Sequence, residues 1–266
     1  MNKVMFIVFI TVFPLLLVAL LLPAILWQEP LETGQVVLVV LIPVLIFLFT
    51  QNYVLQRRVL KVHALLFEQC DPEAYLEATS QLLAKAEKRA QTLNIQAQRI
   101  NMNAGLQAAG RYQEALAVLP DASQFKDHRI GRLMRVVYHH NNVEVLIALG
   151  QLGQADMALA WLNDALGKLK GSAKQTARYQ LIARMDAAQL RMTQGNFDGA
   201  EAVFREAIDK AENNYARVSS VLELGRVYAH FGRADEARQA FEYVLSHGNK
   251  LHAVAQAREA LAALGR

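Results

Sequence analysis

The sequence predicts an all-α protein: an N-terminal two-helix transmembrane hairpin followed by an α-solenoid of stacked helix pairs. Three observations predict it. Of the first 55 residues, 39 are apolar and only Lys3, Glu29 and Glu32 are charged, whereas the remaining 211 have the composition of an ordinary globular protein. Beyond residue 55 there are two prolines, Pro72 and Pro120, and 38 alanines, with no alternating β-branched runs bounded by turn residues. A glycine-led pattern then recurs four times, which is the mark of a repeat architecture.

Residues 1–55 form the first predicted domain. Residues 4–27 are uncharged and as a helix reach roughly 36 Å, enough for a hydrocarbon core of about 30 Å. Residues 34–53 are a second uncharged run, joined to the first by a short connection that holds Glu29 and Glu32. Pro14, Pro23 and Pro43 are compatible with membrane helices, where neighbouring groups re-satisfy the freed carbonyls. Lys3 precedes the first span and Arg57, Arg58 and Lys61 follow the second, so the positive-inside rule puts both termini in the cytoplasm. The apolar run is too long for a cleaved leader, and Trp27 and Tyr53 read as interfacial anchors.

Residues 56–94 are expected to be a juxtamembrane helix pair. Asp71 and Pro72 supply an N-cap and a first-turn proline for a helix running to about Leu93. Residues 95–247 hold the repeats. Gly110, Gly153, Gly195 and Gly232 are each followed five positions later by Ala115, Ala158, Ala200 and Ala237, and nine positions later by Leu119, Leu162, Phe204 and Phe241. A glycine can take the left-handed conformation that ends one helix, a small alanine lets the next approach closely, and the large residue fills the space between. A long helix is expected from Phe125 to Gly150. Residues 248–266 read as a C-terminal capping helix, starting near Lys250.

At these residues the chain resembles the tetratricopeptide repeat family, with the last unit (Leu224, Gly225, Tyr228, Gly232, Ala237, Phe241) matching best. The resemblance implies a concave groove lined by the first helix of each pair. Carried over by distance from each turn glycine, the groove holds Ala97, Ile100, Ala104 and Gln107, then His140, Val143, Ile147 and Gln151. Ile182, Met185, Gln189 and Met192 follow, and Ser219, Leu222, Arg226 and His230 complete it. Its Ile, Val, Met and Leu suit the apolar face of an amphipathic helix or peptide.

No phosphate-cradling loop, nucleophile elbow or His-Glu-x-x-His motif occurs, and the chain is read as a non-enzyme without cofactors. The single Cys70 excludes a disulfide framework, and as a lone cysteine it reads as inert packing. His139 and His140 are adjacent and cannot chelate together on a helix, so no metal site is expected. Arg129, Arg132 and Arg135, with His128 and His139, form a basic stripe. It is a solvated face or a contact for anionic lipid or an acidic partner. No nucleic-acid motif is visible.

The functional expectation is a membrane-anchored scaffold at the cytoplasmic face of a bacterial inner membrane, binding protein partners; a homo-oligomer is compatible with it. The alternative is a constitutive subunit or assembly factor of a membrane complex, or an extracytoplasmic maturation factor if the topology is inverted.

Overall fold

The structure, a computed structural model, describes Leu45, Tyr53 and residues 57–265. The predicted spans 4–27 and 34–53 therefore lie outside the described residues, save for Leu45 and Tyr53, both helical and exposed. Among the described residues no helix is long and apolar enough to cross a membrane, and no strand occurs. The chain divides into two units, residues 1–61 and 62–266. In the first, Arg57 Nε donates to Tyr53 Oη at 2.9 Å.

The second unit is a succession of antiparallel helices. Helical residues 62–67 lead into a loop at Cys70, followed by α1 (Pro72–Lys88), α2 (Thr92–Ala108) and α3 (Tyr112–Val118). Then come α4 (Arg129–Ala148), α5 (Leu152–Gly167), α6 (Ala173–Thr193), α7 (Ala200–Asp209), α8 (Asn214–His230), α9 (Ala234–His247) and α10 (His252–Leu264). Asp71 caps α1 by accepting from the Ala74 N–H, and Ser172 and Asn213 cap α6 and α8 in the same way. Two helices end differently from expectation. α1 stops at Lys88, where Ala90 takes φ 50° and reverses the chain before Leu93. α4 begins at Arg129, capped by His128 Nδ1, which accepts from the Gly131 N–H at 3.1 Å.

In one unit the turn falls on a different glycine from the one expected. Gly110, Gly195 and Gly232 have positive φ as expected, but in the second unit it is Gly150 (φ 70°) that turns the chain, while Gly153 lies in the first turn of α5. Ala115, Ala155, Ala158, Ala200 and Ala237 are all essentially fully buried, as close helix approach requires, and Leu162, Phe204 and Phe241 fill the spaces beside them. α3 is short because Pro120 removes a backbone donor and holds Leu119 extended (ψ 133°).

The unit also closes on itself. Asn249 Nδ2 donates to the Gln69 carbonyl at 2.7 Å, the Lys250 N–H donates to the Cys70 carbonyl at 3.2 Å, and Lys250 Nζ pairs with Asp71 at 2.6 Å. Leu66, Cys70 and Tyr75 share one apolar cluster with Val218, Leu251 and Ala257. The His252 ring meets Tyr112 edge-on at 5.9 Å, above Gly110, where a Cβ would stand 2.6 Å from that ring. The C-terminal helix, expected to cap a free end, thus joins the end of the array to its start.

Candidate functional site

α4, α6 and α8, the first helices of three successive pairs, each contain a single acidic residue: Glu144, Asp186 and Glu223. The three converge. His140 Nδ1 lies 2.9 and 3.1 Å from the two Asp186 oxygens, and its Nε2 lies 3.7 Å from Glu144 Oε2. Gln189 Nε2, one turn along α6 from Asp186, donates to Glu223 Oε1 at 3.4 Å, and Arg226 Nη1 donates to the same oxygen at 2.7 Å.

Burial sets the electrostatics. The Asp186 side chain is 2% exposed, that of His140 21%, and those of Glu144 and Arg226 35% and 37%. Burial opposes the imidazolium, but the carboxylates of Asp186 and Glu144 outweigh it and hold His140 up, to about 9. Burial also raises the Asp186 and Glu144 carboxyls, against the pull of the ring. Tyr215 and Tyr112 are raised by burial and by the charge of Glu144. The arrangement can hold a proton, accept from a donor or take a cation.

The structure distributes the expected groove residues unevenly. His140, Gln189 and Arg226 come together in this polar chain. Val143, Ile147, Met192 and Leu222 are buried in the core between helix pairs, and Met185 packs partly buried against it. Gln151 stands at the N-cap of α5. His230 is exposed at the end of α8 and stacks on Phe197 at 3.7 Å. In the first unit Ile100 is buried, Ala97 and Ala104 are half-buried, and Gln107 donates to Asn103 Oδ1 at 2.6 Å within the α2–α4 contact. Ile182 and Ser219 are half-buried.

Glu144, Asp186 and Glu223 were missed by sequence reasoning, although a signal existed. Counting from Gly150 instead of Gly153 places Glu144 six residues before the turn glycine, the position held by Gln189 and Arg226 in the next two units. The basic stripe has local partners: Arg132 pairs with Asp127 at 3.0 Å and Arg135 Nη2 donates to the Phe125 carbonyl at 2.6 Å, fastening the loop before α4. Arg129 is exposed at the start of that helix. Cys70 is fully buried, and burial pushes its thiol up to about 11. A separate open depression of about 940 Å³ lies between α1, α2 and α3, lined by Glu73, Leu76, Glu77, Met102, Leu106 and Arg111 among others; it contains none of the groove residues.

A tetratricopeptide repeat family model matches residues 185–251, about a quarter of the chain, from mid-α6 through α9. No curated protein and no solved structure matches the chain. The family match supports a tetratricopeptide repeat protein, a class of modules that generally bind protein partners and are typically not enzymes.

Proposed function

We propose that this chain is a membrane-anchored interaction scaffold, in which two apolar N-terminal spans hold the helical array at the cytoplasmic face of a bacterial inner membrane to recruit or hold partner proteins. The uncharged runs 4–27 and 34–53, with Lys3, Arg57, Arg58 and Lys61 flanking them, support the anchor and its orientation. The repeat match supports the interaction role.

The observation that carries the reading is the convergence of Glu144, Asp186 and Glu223 with His140 and Arg226. Burying this much charge costs more than an apolar filling of the same volume, so its value lies in recognition. Because the aliphatic groove residues are already packed in the core, the inner face recognises a partner through charge. The exposed parts of Glu144 and Arg226 supply an acceptor and a donor. Crosslinking and co-purification with the full-length chain tests this. The double variant Glu144→Ala, Arg226→Ala is expected to lose the partner while keeping its helical content, and an unchanged set of captured proteins would sink the polar inner face as the docking surface.

One observation favours the constitutive-subunit reading. Met157 and Trp161, one turn apart on α5, are 52% and 53% exposed. If Trp161→Ala lowers the native mass of the detergent-extracted protein, this exposed apolar patch is the permanent interface instead. Orientation is tested separately with Ala202→Cys on the exposed side of α7. Labelling by an impermeant thiol reagent in intact cells would contradict the cytoplasmic placement, and the buried Cys70 provides a silent background.

A further inference from the structure

We propose that His140 and Glu144 form a binding site for a divalent transition-metal ion, with Asp186 as the carboxylate that orients the histidine. The four-residue spacing sets both side chains on one face of α4. Asp186, reaching across from α6, takes up His140 Nδ1 with both oxygens. That leaves Nε2 as the coordinating nitrogen. Metal-ligating histidines generally have this arrangement, one nitrogen on the metal and the other held by a carboxylate or carbonyl.

The remaining distance is informative. Nε2 and Glu144 Oε2 are 3.7 Å apart, too far for a hydrogen bond. An ion placed about 2.1 Å from each, the usual zinc bond length, would subtend roughly 120° between them. That angle lies near the tetrahedral and trigonal values, so the separation of the two donors suits a shared ion. Both donors are partly accessible, which gives the ion a path in and leaves water to complete its coordination, while Asp186 is shut away from solvent.

Charge points the same way. Three carboxylates, Glu144, Asp186 and Glu223, face one permanent cation, Arg226, and one ring that can carry a proton. A dication in place of the ring proton supplies the deficit. One imidazole nitrogen and one carboxylate oxygen form a borderline donor set that suits Zn²⁺ or a neighbouring first-row ion. The ion would stiffen the α4–α6 contact and offer its open positions to a carboxylate or imidazole from outside. This inference stands apart from the scaffold reading, since an ion can bind whether or not a protein partner does.

Titration calorimetry of Zn²⁺ into the full-length chain in mild detergent tests it, at pH 8, where the ring proton competes less. The expected result is one ion per chain and a thermal midpoint about 5 °C higher at saturating zinc. Glu144→Ala keeps every histidine and Cys70, so incidental binding survives in it; loss of this ion in both Glu144→Ala and the isosteric Glu144→Gln is expected. Asp186→Asn is expected to weaken binding about 10- to 100-fold. Absence of binding to the unaltered chain overturns the proposal, and so does unchanged binding in either Glu144 variant.

Discussion

Replacing Gly225 with alanine sets two effects of opposite sign against each other. In an open helix interior the change stabilises by about 1 kcal/mol, because alanine loses less backbone entropy on folding. In α8 the new Cβ would stand 2.6 Å from Phe241 Cε1, 2.9 Å from Cδ1 and 3.1 Å from the Ala240 Cβ, where ordinary carbon contacts are about 3.5 to 4.0 Å. Phe241 is fully buried, so its ring cannot swing aside and α8 must move off α9 by several tenths of an ångström. Overpacking of this kind costs about 1 to 3 kcal/mol, and a rigid ring puts the cost near the upper end. The net expectation is a loss of about 2 kcal/mol, or a thermal midpoint about 4 to 8 °C lower for a unit of this size. Circular dichroism melting of the full-length chain measures it. In a Phe241→Leu background the same change is expected to be nearly neutral, since the opposing ring is gone. A midpoint raised by Gly225→Ala in the unaltered background would refute the close contact between these helices.

Other outcomes follow from the same geometry. Asp186→Ala leaves His140 without its carboxylate and is expected to lower stability by about 3 kcal/mol in urea titrations, with Asp186→Asn milder. His139 is buried against Trp161, and burial, helped by the Arg135 charge, lowers it to about 4. The native state therefore resists a proton that the unfolded chain takes up below about pH 6.5. The stabilisation is complete above that pH and falls by on the order of 2 kcal/mol as pH drops toward 4; His139→Gln is expected to remove this part of the acid sensitivity in melting curves. At the closure, Lys250→Ala removes an ion pair whose lysine is well exposed and which is worth about 1 kcal/mol, whereas Leu251→Ala removes a buried side chain and is expected to cost about 2 to 4 kcal/mol. The reverse order in chemical denaturation would mean that charge, not apolar burial, fastens the ends.

The sequence made the helix pairs legible because glycine, alanine and one large apolar residue at fixed spacing have a single local physical meaning. It misled where two glycines three residues apart competed. Gly150 and Gly153 are equally able to take positive φ, and tertiary packing, not composition, assigns Gly150 to the turn. That slip of three residues hid Glu144 and, with it, the acidic character of the inner face. The aliphatic positions were legible as apolar but not as core, since periodicity tells which side of a helix is buried without telling whether a neighbour or a ligand buries it. His140 and Arg226 were found by spacing, whereas Asp186 and Glu223 lie one position off the assumed register. The meeting of Cys70 with Lys250 is not local at all, and nothing in either segment alone announces it.

That meeting changes what kind of object the array is. An open solenoid is close to a one-dimensional polymer: units can be added or removed, and its stability is nearly a sum over neighbours. Here the Asn249 side chain must find the carbonyl of Gln69, 180 positions earlier in the chain. The unit count is thereby constrained, because inserting or deleting a helix pair would carry one edge past the other. The ends cannot fray independently, so melting should be a single concerted event across α1 to α10. During synthesis the first edge emerges long before its mate, so the closure forms only after the segment leading into α10 has been made.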